Sequence, residues 1–214
     1  MEDQILSRYA AALAPKNDTP LLDKLEKEAR GRQIPIMQPD AMALLQHYIR
    51  LIKPKRILEI GTAVGYSAIK MALSSEIAQI YSIEREEEMY REAQANIKSF
   101  SLEDRIHVIK GDATKIAEDT GQYAPFDFIF IDAAKGQYQL FFEQYSPFLS
   151  QDGLIVTDNV LFRGLAADPE RAESKRLRKL AEKINRYNEW LAAHPQFDSV
   201  FLTVGDGIAV SARK

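Results

Sequence analysis

The chain of 214 residues contains no cysteine. Disulfides, thiolate metal sites and cysteine nucleophiles are therefore excluded together. It also lacks any run of about 18 apolar residues, the length a membrane span requires. The opening Met1-Glu2-Asp3-Gln4 is acidic and polar, without the basic-then-apolar order of a secretory signal. A cytoplasmic location is the default expectation. Internal repeats, low-complexity tracts and Gly/Ser linkers are missing too, and the length suits one α/β domain better than two. Histidine is scarce. His47, His107 and His194 are scattered without ligand spacing and read as structural or surface residues. A net charge of −3 leaves no global basic excess for nonspecific DNA binding, although a local basic patch is compatible with it.

What is present is an alternation of short apolar runs and longer amphipathic ones. Residues 1–54 read as a helical cap. Leu21, Leu22, Leu25 and Ala29 keep helical spacing, and a second helix carries Met42, Leu45, Ile49 and Leu51 after Pro39-Asp40. Residues 55–214 read as the core. Its strand candidates are Ile57–Ile60, Ile80–Ile83, Ile106–Ile109, Phe126–Ile131 and Leu154–Thr157. Helices are expected between them at Glu86–Phe100 and Tyr138–Leu149, and a long one at Arg171–Ala193. Continuous apolar strands separated by helices predict a parallel sheet covered on both faces. Two last runs, Val200–Val204 and Ile208–Ser211, flank Gly205-Asp206-Gly207 and predict an antiparallel hairpin at the sheet edge. The expected fold is α/β: a doubly wound, mostly parallel, Rossmann-like sheet of seven strands.

Ligands of such sheets bind beyond the carboxyl ends of the strands. The first strand ends in Glu59-Ile60-Gly61-Thr62-Ala63-Val64-Gly65-Tyr66-Ser67. Gly61 and Gly65 permit a sharp turn and a close approach of backbone to ligand. Ala63 stands where a dinucleotide loop wants its second glycine, which disfavours a nicotinamide oxidoreductase. Acidic Glu59 suits a cationic amino acid ligand better than a phosphate. Glu84 ends the second strand, where a carboxylate can accept both hydroxyls of a ribose. Asp112, in Gly111-Asp112-Ala113 after the third strand, is placed to accept from an adenine amino group.

The fourth strand runs into Asp132-Ala133-Ala134-Lys135 and the fifth into Asp158-Asn159. Two carboxylates and an amide oxygen at neighbouring strand ends form a hard, all-oxygen half-shell suited to Mg²⁺ or Mn²⁺. Such an ion stabilises the oxyanion of a bound hydroxyl. A lysine beside a dication sheds its proton more readily, so Lys135 is the candidate base, with Asp132 its catalytic companion. An intact metal set of this kind argues against an inactive RNA-binding module.

Between Arg171 and Arg186 the chain carries seven basic residues against Glu173 and Glu182. On a helix Lys175, Lys179, Lys183 and Arg186 share one face, while Leu177, Leu180, Ile184 and Leu191 supply the buried stripe. With Arg178, these cations are the candidate RNA-binding surface, because one-signed charge of this kind holds phosphates.

Taken together, Glu59–Ser67, Glu84, Gly111–Ala113, Asp132–Lys135 and Asp158–Asn159 resemble the metal-dependent O-methyltransferases that include the catechol and caffeoyl-CoA enzymes. Within that superfamily, Ile34-Pro35-Ile36-Met37, Phe130–Tyr138, Thr157–Phe162 and Val204–Gly207 look like the bacterial group that methylates 5-hydroxyuridine at the tRNA wobble position. The resemblance implies the class I S-adenosylmethionine methyltransferase fold, with S-adenosylmethionine and Mg²⁺ (or Mn²⁺) as cofactors. It implies donor contacts from Met37, Ser67, Glu84, Asp112, Ala113 and Asp132. Asp132, Asp158 and Asn159 become the metal ligands and Lys135 the base. A homodimer, N-terminal helices over the active site, and the tRNA anticodon loop as substrate are implied as well. The plant-type segments that grip coenzyme A esters are not found. The alternative substrate is a small catechol or phenol. In 5-hydroxyuridine the hydroxyl and the ring carbonyl sit on neighbouring carbons, as the two oxygens of catechol do, so both can chelate one ion.

Overall fold

The computed structural model describes Tyr9, residues 12–17 and residues 19–214. The polar opening Met1–Gln4 lies outside them. Two helices precede the sheet. In α1 (Pro20–Gly31) the Thr19 hydroxyl accepts the Leu22 N–H at 3.2 Å, and Pro20 pre-sets the first helical φ. In α2 (Pro39–Ile52) a proline again opens the helix, and Lys53 closes it in the left-handed region.

Seven strands form one sheet in the order β3-β2-β1-β4-β5-β7-β6. They are β1 (Arg56–Ile60), β2 (Gln79–Glu84), β3 (Ile106–Lys110), β4 (Phe126–Ile131), β5 (Leu149–Asp158), β6 (Phe197–Leu202) and β7 (Ile208–Arg213). The first five pair in parallel, and β7 is antiparallel to both β5 and β6. The doubly wound, seven-stranded fold expected from the pattern is what forms. The remaining helices are α3 (Tyr66–Leu73), α4 (Glu87–Ser99), α5 (Ala117–Gly121), α6 (Tyr138–Tyr145) and α7 (Lys175–Ala192).

Two apolar layers sandwich the sheet. Ile57, Phe128, Phe130 and Val156 face α1–α4, while Leu58, Ile60, Ile129, Ile131 and Ile155 face α6 and α7. The strict alternation of strand side chains makes this division. Burying each such side chain contributes about 1.5–3 kcal/mol. The N-terminal helices join the first layer through Leu22, Leu25, Met42 and Leu45.

The structure departs from expectation at element ends. β5 starts at Leu149 rather than Leu154, because Leu149 pairs with Phe126 across a register shift in β4. The helix expected to reach Leu149 stops at Tyr145, where Ser146-Pro147-Phe148 tightens into a 3₁₀ turn. The last helix starts at Lys175 rather than Arg171, because Ser174 caps it by accepting the Leu177 N–H at 3.2 Å. The closing hairpin inserts its second strand between the parallel sheet and its first, so β6 is the edge. Among the described residues no helix is long and apolar enough to cross a membrane.

Candidate active site

Strand order reverses between β1 and β4, and beyond their carboxyl ends lies a cavity of about 690 Å³. Residues 61–63, Ser67, Glu84, Asp112, Ala113, Asp132, Lys135, Asp158 and Asn159 all line it.

On the β1–β3 side the carboxylates are held by the chain's own donors. Glu84 Oε2 accepts the Ala63 N–H and Oε1 the Glu86 N–H, both at 2.8 Å. Asp112 Oδ1 accepts the Thr114 N–H at 3.0 Å and its hydroxyl at 2.8 Å, and these bonds hold the Asp112 carboxyl below its ordinary pKa. Each Glu84 oxygen keeps a second lone pair, and Asp112 Oδ2 is left to accept from a ligand hydroxyl or amine. The Ala113 carbonyl accepts the buried Tyr145 hydroxyl at 2.8 Å, which pins the loop after β3. Ala63 sits at φ 46 although it has a Cβ, a conformation that costs energy and is held by the bond to Glu84.

Three expected donor-site residues, Glu59, Met37 and Gly65, do not line the cavity. Glu59 is fully buried and lies behind the cavity wall. Alternation along β1 turns it toward α3, where Ser67 donates to it at 2.5 Å, while Ser82, its partner in register on β2, donates to its other oxygen. Burial outweighs these bonds and raises the Glu59 pKa to about 8. Glu59 therefore orients Ser67, which does reach the cavity. Met37 is buried in the apolar layer, and its carbonyl accepts from Arg30 at 3.1 Å; its neighbours Ile36 and Gln38 line the cavity instead. The glycines also serve the protein before any ligand. A Cβ on Gly61 (φ 103) would collide with the Asp132 carbonyl, and Gly65 (φ 82) caps α3 with Ala93 3.5 Å from where its Cβ would be.

On the β4–β5 side the carboxylates face each other. Burial raises the pKa of Asp132, with Lys135 opposing, and burial followed by the Asp132 charge raises that of Asp158. Asn159 adopts φ 60, a left-handed conformation that asparagine tolerates. Its N–H donates to Asp158 Oδ1 at 2.7 Å, its amide NH₂ donates to Asp158 Oδ2 at 3.2 Å, and its Oδ1 accepts from Lys135 Nζ. The Tyr138 hydroxyl, donating at 2.9 Å to the Asp158 carbonyl, fixes the end of β5. Among the described residues no three His, Cys, Asp or Glu side chains gather as a metal set. The set here is two carboxylates and an amide oxygen. Two carboxylates, one buried and one half-buried, beside one ammonium are short of positive charge, so a hard cation fits the donors.

The O-methyltransferase family profile matches residues 13–214. The chain belongs to the O-methyltransferase family. A caffeoyl-CoA O-methyltransferase of Stellaria longipes is 31% identical over 199 residues, covering 90% of this chain and 83% of the relative. A Staphylococcus aureus structure, assigned provisionally to the caffeoyl-CoA O-methyltransferases, superposes with a TM-score of 0.89 at 34% identity over 100% of this chain and 99% of the other. An O-methyltransferase of Bacillus cereus, solved with S-adenosylhomocysteine, gives 0.82 at 29% identity over 98% and 97%. The sheet is that of a class I S-adenosylmethionine methyltransferase, and the protein is of the caffeoyl-CoA type within the family.

In this O-methyltransferase the basic helix borders the active site, though not as a uniform surface. Lys175, Lys179, Lys183 and Arg186 are exposed on α7 and form no ion pair among the described residues. Arg178 is instead paired with Glu170. The buried stripe is Ala181, Ile184, Tyr187 and Leu191, with Leu177 and Leu180 only partly covered. Sequence reasoning missed Ser82, Tyr138 and Asp206. Asp206 lines the cavity, accepts the Arg163 N–H at 3.2 Å through its side chain, and accepts the Leu161 N–H at 3.0 Å through its carbonyl. Its flanking glycines, read as a hairpin turn, were the available signal.

Proposed function

We propose that this O-methyltransferase methylates the hydroxyl of 5-hydroxyuridine at the tRNA wobble position, using S-adenosylmethionine and a bound Mg²⁺ or Mn²⁺. The observation that carries the metal-dependent chemistry is the pair of half-buried Asp132 and buried Asp158 at adjacent strand ends, beside Lys135 and Asn159. Glu84, Asp112, Ala113 and Ser67 would hold S-adenosylmethionine, which would supply the electrophilic methyl. Asp132, Asp158 and Asn159 would hold a dication, which would supply Lewis acidity toward a hydroxyl and its neighbouring oxygen.

The chain's own residues do the rest. Lys135, on the 3₁₀ turn after β4, is the base that takes the hydroxyl proton. Asn159 Oδ1, to which Lys135 now donates, holds that side chain toward the cleft. Glu59, through Ser67, orients the amino acid end of the donor. The unpaired cations of α7 support a polyanionic substrate over a neutral one. The same reading makes the protein a cytoplasmic homodimer acting on the tRNA anticodon loop, with no membrane or DNA partner.

A second reading, methylation of a small catechol or caffeoyl-type phenol, is favoured by the names of the relatives reported above. Mass spectrometry of tRNA nucleosides from a deletion strain separates the two. Accumulated 5-hydroxyuridine with loss of 5-methoxyuridine is expected; an unchanged nucleoside profile rejects the tRNA substrate.

A further inference from the structure

A second, smaller cavity of about 180 Å³ opens on the other side of Lys135. Lys135, Gly136, Tyr138, Gln139, Lys183, Arg186 and Tyr187 line it, and no carboxylate does. Each of its neutral polar side chains already has a hydrogen-bond partner. The Tyr138 hydroxyl donates to the Asp158 carbonyl, the Tyr187 hydroxyl bonds Thr157 at 2.9 Å, and the Gln139 amide donates to Glu143 at 2.8 Å. The side chain of Lys183 is laid over Gly136, its Cδ and Nζ 3.6 and 3.7 Å from where a Cβ would stand. Lys183 and Arg186 have no ion pair among the described residues. Two uncompensated cations one helical turn apart, converging on a recess whose other polar side chains already have partners, are complementary to an anion and not to a neutral ligand. Because Lys135 lines both cavities, an anion held here stands beside whatever molecule fills the larger one.

We propose that Lys183 and Arg186 form a phosphate subsite that grips a backbone phosphodiester of the substrate, next to the nucleotide being methylated. This deepens the nucleic-acid reading above and rests on it. Phosphates held here position the chain without reading its sequence, so the subsite sets affinity and register while the larger cavity selects the base. It is distinct from Lys175 and Lys179, which lie further toward the helix start and line neither cavity.

The test compares two matched substrates: free 5-hydroxyuridine, and the same nucleoside inside a trinucleotide with both flanking phosphodiesters. For the wild-type protein we expect kcat/KM for the trinucleotide to exceed that of the nucleoside by about tenfold or more, the size of charge-assisted phosphate binding. Lys183→Gln with Arg186→Gln should collapse that ratio toward one through the KM of the trinucleotide. It should also lower the slope of log KM against log salt by about 0.7 for each single-strand phosphate that is no longer neutralised. Lys183→Arg should retain the ratio, and thermal melting checks the fold of each variant. Equal handling of the two substrates by wild type, or a ratio that survives the double replacement in a folded protein, overturns the subsite. Turnover of neither substrate by a preparation that methylates catechol rejects the nucleic-acid reading itself, and the subsite with it.

Discussion

The two halves of the active site use the same residue type in opposite ways. At the ends of β2 and β3, Glu84 and Asp112 accept backbone and hydroxyl donors from their own loops. At the ends of β4 and β5, half-buried Asp132 and buried Asp158 line one cavity, and both pKa values rise. In one half the carboxylates are held by donors of the chain itself; in the other, two carboxylates stand beside a single ammonium. Stability and function are therefore aligned in the first half and opposed in the second.

The largest effect should come from breaking the second half. Chelation, or Asp158→Asn, should lower turnover at least about a hundredfold, because the ion's charge stabilisation is worth several kcal/mol. The same Asp158→Asn should raise the melting temperature of metal-free protein, by about 2–4 °C for each kcal/mol of repulsion relieved in a domain of this size. A calorimetric scan in chelator that shows lower stability would break the comparison. Glu84→Ala tests the first half. Titration calorimetry should show S-adenosylmethionine binding weakened by about 10- to 100-fold, the worth of one or two hydrogen bonds to a charged group. Affinity for Mn²⁺ should stay put, since the halves are held by separate bonds.

A smaller effect follows from Glu59. Its pKa is raised by burial to about 8, from an ordinary value of 4.5. The folded state thus holds a proton that the unfolded state releases. The stability it contributes is whole below about pH 4.5 and is lost as pH climbs to about 8. Glu59→Gln, which mimics the protonated form, should flatten the wild-type decline over that window by up to a few kcal/mol. Parallel urea-melt profiles for the two proteins would show that Glu59 ionises normally. Smallest of all, Lys175→Glu with Lys179→Glu should raise the KM for tRNA by about tenfold at low salt and flatten its salt dependence, leaving donor affinity unchanged. Unchanged tRNA methylation across a salt series removes these two lysines from the RNA surface.

The strand ends were legible because each apolar run stops at a polar residue, and Asp132, Asp158, Glu84 and Asp112 all line the cavity. The parallel pairing of the first five strands followed from βα alternation. What escaped depends on direction and partner rather than on residue type. Glu59 is two residues before Gly61, and only strand alternation decides that it points into the helix layer, where Ser82 meets it in register. Met37 and Ile36 are neighbours in a cavity-lining segment, yet one is core and the other wall. Arg178 is as basic as Lys179, but Glu170, eight positions earlier on a separate 3₁₀ turn, takes it up. No local pattern carries that pairing.

Gly61 sets how closely the loop after β1 approaches the end of β4. Its α-hydrogen lies where any side chain would strike the Asp132 carbonyl, and Asp132 N–H bonds the Ile60 carbonyl at 3.0 Å. The loop proposed to carry the methyl donor and the strand end proposed to carry the acceptor are thus adjacent rungs of one ladder, set apart by the interstrand repeat of about 4.8 Å. The reach of the transfer is then a dimension of the backbone, which no single side chain adjusts. A substitution among the side chains lining the cavity can reshape it while that backbone spacing stays unaltered.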